Sequence, residues 1–362
     1  MFYHLLYPLK DLWFGFNVFR YITFRAGMAA VTAFLLSVVF GPMIIRWLKK
    51  WNVGDFVRKE HVGHLYDLHK HKEGTPTMGG VLIVVSVLVA TLLWCRLDND
   101  FVFLALGGMV WIGIIGFVDD CIKLKKKSSE GIRAITKLFG QVTLALIVGI
   151  FVIRHKGIGT ELYIPFLKNA VANLGIFYIL FVLVVIVGTS NAVNLTDGLD
   201  GLATGCVVFV ALTYALMSYV TGHAAISKYL NVFYLSGAGE LTCFCSALVG
   251  ATLGFLWFNG PPANIFMGDT GALSLGGAIG IVSVLIKKEI LLLIVGGVFV
   301  VEALSVILQV ISFKLTGKRL FRMTPIHHHF QIKGLPESKI TVRFWIIAAI
   351  LALLSMTTLK VR

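Results

Sequence analysis

Between two apolar runs the chain reads Asn191-Ala-Val-Asn194-Leu-Thr-Asp197-Gly198-Leu199-Asp200-Gly201, two carboxylates and two carboxamides within ten residues. Asn191, Asn194, Asp197 and Asp200 step by three, so on a helical end each lies beside the next and the four form one polar edge. Ionisable groups at the end of a membrane helix point to a site that faces a water-filled cleft. The plainer alternative is a polar turn capped by Asp and Asn, for which Gly198 and Gly201 would suffice.

Four further stretches carry chemistry. Asp119 and Asp120 follow an apolar run and precede Lys123, Lys125, Lys126 and Lys127. Adjacent helical side chains diverge by about 100°. The two acids are therefore expected to do different things, either stopping a helix at the interface or facing a phosphate or a magnesium ion while the lysines draw in an anion. Asn259-Gly-Pro-Pro-Ala-Asn264-Ile-Phe266-Met-Gly268-Asp269-Thr-Gly271 sets one acid, two amides and an aromatic in a Gly/Pro-rich loop, where backbone and carboxylate can approach a ligand closely. Lys59, His61, His64, His69, Lys70, His71 and Lys72 lead into Gly74-Thr75-Pro-Thr77-Met-Gly-Gly80, whose hydroxyls and N–H groups could meet an anion at a helix start. Last comes Pro325-Ile-His327-His328-His329. Consecutive side chains diverge too far for one ion, so phosphate binding suits these imidazoles better than metal. Glu302 and Gln309 are polar positions in an apolar run, expected to line the bundle interior.

The elements that must position these groups are membrane helices. The 362 residues are 57% hydrophobic and 14% charged, outside the range of soluble globular chains. Runs near the roughly 20 residues that cross a bilayer lie at about 22–45, 77–95, 101–118, 136–153, 174–191, 201–221, 240–258, 271–286, 290–313 and 341–359. The expected fold is all-α: one polytopic transmembrane domain over 1–362 with about ten helices and an aromatic interfacial helix at 1–19. The net charge of +14 is a matter of topology and not of nucleic acid, because 20 of the 32 Lys and Arg fall in or beside alternate loops. By the positive-inside rule the loops at about 46–76, 119–135, 192–200, 259–270 and 314–340 are cytoplasmic and both termini lie outside. Every polar motif then falls on the cytoplasmic side. The five cysteines show no metal spacing, and neither a dinucleotide fingerprint nor a phosphate-binding P-loop is present.

Taken together, the five collinear motifs closely resemble the bacterial phospho-N-acetylmuramoyl-pentapeptide transferases, within the polyprenyl-phosphate N-acetylhexosamine-1-phosphate transferase superfamily. The resemblance runs from about Phe16 to Arg362, and the Pro-x-His-His-His block resembles the muramoyl-pentapeptide branch. Two positions depart from it: Gln331 where many members carry Glu, and Ala272 where Ser is usual. The resemblance implies transfer of phospho-MurNAc-pentapeptide from UDP-MurNAc-pentapeptide to undecaprenyl phosphate, giving lipid I and UMP. It also implies Mg2+, a homodimer and a multi-pass place in the bacterial inner membrane. Its implied catalytic residues are Asp119, Asp120, Asp269 and His327, with Asp269 as metal ligand. Its implied substrate contacts are Lys72, Thr77, Lys123, Asn194, Asp197, Gly198, Leu199, Asp200, Asn259, Phe266, Gln309, His328 and His329. Two rivals remain at this stage, the same chemistry on UDP-N-acetylglucosamine and a nucleotide-sugar or lipid transporter. Transporter sites, however, sit near the bilayer midplane between repeated halves.

A basic face that gathers an anionic substrate acts on capture more than on chemistry. Neutralising Lys70 and Lys72 should raise KM for the UDP-sugar more than it lowers kcat, with a penalty that shrinks as salt rises. A salt-independent loss of kcat would instead put a lysine on the transferring phosphate.

Overall fold

The computed structural model describes residues 1–50, 74–126, 131–167 and 169–359, so Lys70 and Lys72 lie outside the described residues. In hydrocarbon every backbone N–H and C=O must be paired inside its own segment, and the long apolar runs accordingly fold as helices. These are Ile22–Lys50, Gly80–Trp94, Asp100–Lys126, Ala134–Arg154, Tyr178–Thr196, Leu202–Gly222, Leu241–Asn259, Gly268–Leu285, Gly297–Thr316 and Glu337–Thr357. Among the described residues nine are long and apolar enough to cross a membrane, and Gly80–Trp94, with 15 residues, is shorter. The protein is an all-α polytopic membrane protein. Its described strands form one small hairpin that pairs Glu161 with Asn173.

Three elements differ from the sequence expectation. The run expected from residue 77 becomes helical only at Gly80, because Phe266 N donates to Pro76 O and Gly79 N and Gly80 N donate to Phe266 O and Met267 O, each at 2.8 Å. Those two glycine N–H groups are thereby spent and are not offered to an anion. The run expected at 290–313 is divided into Leu291–Val295 and Gly297–Thr316 at the Gly296-Gly297 pair, where the backbone lacks side-chain restraint. Residues 2–20 form a five-residue α-helix and two 3-10 stretches. The Phe2 and Phe19 rings pack on Trp94, while Leu12 and Phe14 stay exposed.

Helix Gly268–Leu285 is the centre of the bundle, with 89% of its span buried, against 22% for Ile22–Lys50 and for Gly297–Thr316. The outer helices leave apolar side chains such as Phe103, Ile114 and Leu315 for lipid. Small residues bring helices close where no water drives association. A methyl group on Gly250 would stand 2.0 Å from Ala30 O, so helices Leu241–Asn259 and Ile22–Lys50 meet backbone to backbone.

The up-and-down path gathers the polar motifs at one end of the bundle and a buried ion pair at the other. There Arg25 grips Glu240 with two bonds of 2.6 Å, and Arg96 N donates to Glu240 at 3.2 Å. Both side chains are almost wholly buried. Removing one partner strands a charge, which typically costs about 3–5 kcal/mol, whereas replacing both with apolar groups is often neutral. Glu240→Leu should therefore lower the thermal midpoint in detergent sharply, and Arg25→Met/Glu240→Leu should recover most of the loss.

Candidate active site

Asp269 lies in the first turn of the central helix, behind Gly268, whose φ of +73° turns the incoming loop. The helix start is capped from a neighbouring helix. Asp120 Oδ1 accepts from Asp269 N at 3.2 Å, and Asp120 Oδ2 accepts from Thr270 N at 3.0 Å and from Thr270 Oγ1 at 2.7 Å. A carboxylate at exposed N–H groups and at the positive end of the helix dipole is stabilised twice over. Both Asp120 oxygens are thus engaged in holding Asp269 in place.

Asp119 points elsewhere. Its Oδ1 accepts from Ile132 N at 2.7 Å, and its Oδ2 stands 2.7 Å from Lys123 Nζ and 3.3 Å from Lys137 Nζ. The same two ammonium groups reach Asp269 Oδ2 at 3.0 and 2.6 Å, and Asn194 Nδ2 donates to Asp269 Oδ1 at 2.8 Å. The group is graded in exposure: Asp119 1%, Asp269 14%, Lys137 19% and Lys123 32%. Oxygen atoms of Asp119, Asp120 and Asp269 lie within 4.8 Å of one another. That all-oxygen donor set fits a hard divalent cation.

The loop after helix Tyr178–Thr196 departs from the expected single edge, because the helix ends at Thr196 and Asp197 is already non-helical. Asn191 donates to Gln141 Oε1 and Val187 O, away from the acids. Asp200 accepts from Ala263 N at 2.9 Å, and its own N–H donates to Glu337 Oε1 at 2.8 Å. Asn259 is buried, with Oδ1 accepting from Thr204 Oγ1 and Nδ2 donating to Ile265 O. Asp200 and Asn259 therefore tie loops together, and Leu199 is buried beside them. Thr77 lies next to Gly268, its Oγ1 3.2 Å from where a methyl group on that glycine would stand. Phe266 is half-buried in the loop that pairs with Pro76 and Gly79.

The three histidines occupy helix Ile326–Ile332 and diverge. His327 is fully buried, with Nδ1 3.1 Å from Glu302 Oε2. His328 Nδ1 pairs with Gln331 Oε1 at 2.7 Å, so the residue that departs from the family pattern is a direct partner of the block. His329 Nδ1 accepts from Arg322 N. Gln309 is not a bundle-lining group: its Oε1 accepts from Leu320 N and Phe321 N and its Nε2 donates to Phe321 O, closing the loop before the histidines.

Comparison with known proteins identifies the family. Residues 102–287 match the family model described as Glycosyl transferase family 4, and residues 72–84 match the Phospho-N-acetylmuramoyl-pentapeptide-transferase signature 1. Proteins named phospho-N-acetylmuramoyl-pentapeptide-transferase are similar over the whole of both chains: 55% identical in Citrifermentans bemidjiense, 54% in Desulfotalea psychrophila and 52% in Thermodesulfovibrio yellowstonii. The chain belongs to that transferase family.

Lys137, which reaches both Asp119 and Asp269, lies outside every motif singled out in the sequence. Its signal was local: a lysine in the first turn of helix Ala134–Arg154 is at odds with the helix dipole and needs an anionic partner elsewhere. Thr270, Gln141 and Glu337 were also missed, and no spacing marks them.

Asp197 carries a pH signature. Burial, then the negative charges of Asp269, Asp120 and Asp200, pushes its carboxyl up to about 8. An unfolded aspartate titrates near about 3.9, so the folded protein holds this proton more tightly than the unfolded chain. The associated stability is complete below about 3.9 and is lost as pH rises towards about 8. With chelator present, the thermal midpoint should fall across that window, and Asp197→Asn should flatten the fall. An identical slope in the variant would mean that Asp197 is ionised throughout.

Proposed function

We propose that this chain transfers phospho-MurNAc-pentapeptide from UDP-MurNAc-pentapeptide to undecaprenyl phosphate, giving lipid I and UMP in peptidoglycan synthesis. The observation that carries the reading is the convergence of Asp119, Asp120 and Asp269 with Lys123 and Lys137 at one end of an apolar bundle. One substrate is a soluble nucleotide sugar and the other a membrane lipid, so a site at the bilayer face meets both. The excess of Lys and Arg on the loops at that end supports a cytoplasmic site and outward termini. The homodimer belongs to the same reading, with the broad apolar faces of the outer helices available to lipid or a second copy.

Mg2+ is the metal this reading assigns, because it takes one or two carboxylates together with substrate phosphate oxygens. Asp269 is its principal ligand, being the more open of the two carboxylates that face the lysines, with Asp119 beside it. Bound there, the ion supplies charge neutralisation to a diphosphate. Lys123 and Lys137, bridging both acids, are placed to turn towards incoming phosphate oxygens. Asn194 holds the Asp269 carboxylate in orientation, and Asp197 and Phe266 contribute to the nucleotide wall.

Phosphoryl transfer asks for position and charge more than covalent work. A phosphate monoester loses its second proton near about 6, so the lipid phosphate is largely a dianion at neutral pH and needs no protein nucleophile. Its oxygen attacks the β-phosphorus, and the bond to the bridging oxygen breaks as UMP leaves. Asp119 orients the attacking group.

Release of UMP in detergent with undecaprenyl phosphate should require the muramoyl-pentapeptide donor, with UDP-N-acetylglucosamine a poor substitute. Asp269→Asn should lower turnover by about a thousand-fold or more. Incubation with donor labelled in the β-phosphate and no lipid should leave the denatured protein unlabelled. Stoichiometric label that chases into lipid product would make an aspartate the nucleophile.

A further inference from the structure

Glu302 stands apart from the acids discussed so far. It lies in helix Gly297–Thr316, is fully buried, and approaches the imidazole of His327, Oε2 to Nδ1, at 3.1 Å. Among the described residues no hydrogen-bond donor satisfies either of its oxygens, and the 3.1 Å approach of His327 Nδ1 is an ion-pair contact. His327 is also fully buried, and neither of its ring nitrogens has a hydrogen-bond partner among the described residues. The ring lies against the loop of acids: a methyl group on Gly198 would stand 2.3 Å from His327 Nε2. Gly198 follows Asp197 directly, at the corner between helices Tyr178–Thr196 and Leu202–Gly222.

Stability does not account for this pair. A carboxylate inside an apolar span is costly, and a buried ion pair roughly breaks even against apolar residues of the same volume. Orientation does account for it. A carboxylate facing Nδ1 fixes which ring nitrogen carries the proton and how the ring is turned. His328 and His329 are held by a neutral amide and a backbone N–H. The His327 Nδ1 stands beside a buried carboxylate, with the ring set against the Asp197 corner.

We propose that Glu302 is a positioning residue for the transfer reaction: through Nδ1 it sets the His327 ring so that the Nε2 edge braces Gly198 and fixes the corner that carries Asp197. The inference rests on the transferase reading and on that corner belonging to its site. Glu302 itself does not touch substrate.

A double-mutant cycle tests it. Groups that orient a functional imidazole typically matter by about 10- to 100-fold. Glu302→Gln, nearly isosteric, should lower kcat by about that factor while the KM for the UDP-sugar and the thermal midpoint stay close to those of the parent protein. In a His327→Gln background the same change should cost little more, because its route is already cut. Glu302→Asp, which keeps the charge on a shorter stem, should recover part of the loss. Wild-type kcat in Glu302→Gln, an equal loss in both backgrounds, or a loss matched by a fallen midpoint would each overturn the proposal. His327→Gln as active as the parent would overturn it too, whereas a failed transferase reading looks different: UMP release by the parent protein would not depend on polyprenyl phosphate.

Discussion

The constraint on which the site end of this bundle depends is charge compensation around Asp119 and Asp269. Two carboxylates at the end of a helical bundle must be matched, and here two ammonium groups are shared between them. The partners come from different elements: Asp119 and Lys123 from helix Asp100–Lys126, Lys137 from Ala134–Arg154, Asp269 from Gly268–Leu285 and Asn194 from Tyr178–Thr196. Four helices are therefore registered against one another by a single electrostatic requirement. The central helix can be buried on all sides because its polar start is answered from its neighbours.

A division of labour follows from which hydrogen-bonding capacity is spent. Asp120 is committed to the helix start, Asn259 to Thr204 and Ile265, Asp200 to Ala263, and Gln309 to the loop at Leu320. These groups build the frame. Lys123, Lys137 and Asp269 hold one another in ion pairs at the solvent edge, and such contacts exchange for a charged ligand at far lower cost than a buried amide clamp can open. Geometry fixed by the first set and charge supplied by the second is what a phosphoryl transfer requires.

Much of this was legible in the sequence, for identifiable reasons. Apolar run length marks a membrane helix directly, and the Asp, Asn and His motifs stood out because polar residues at span ends are expensive. The divergence of Asp119 from Asp120 followed from helical geometry. What spacing could not convey was the partner of each group. Pro76 pairs strand-like with Phe266, far away in the chain, and Met78, at φ +70°, turns the chain into a helix that begins only at Gly80. The edge from Asn191 to Asp200 assumed a helix continuing past Thr196, where the helix stops, and Asn191, still within the helix, pairs with Gln141. Lys137 and Gln309 acquire their roles through contacts that long-range packing decides.

The two ends of the bundle solve the same physical problem in opposite ways. At one end Arg25 and Glu240 form a closed, bidentate pair with little solvent access, fixing helices Ile22–Lys50 and Leu241–Asn259 where no chemistry is needed. At the other, acids and lysines are linked in an open network that reaches solvent through Lys123. A closed pair gives rigidity but cannot exchange partners without stranding a charge. An open network accepts a less buried, more weakly held arrangement, and in return its cations are free to exchange protein carboxylates for another anion. The rigid end thus complements the exchangeable one, because groups that must move by little and in one direction need helices that do not move at all.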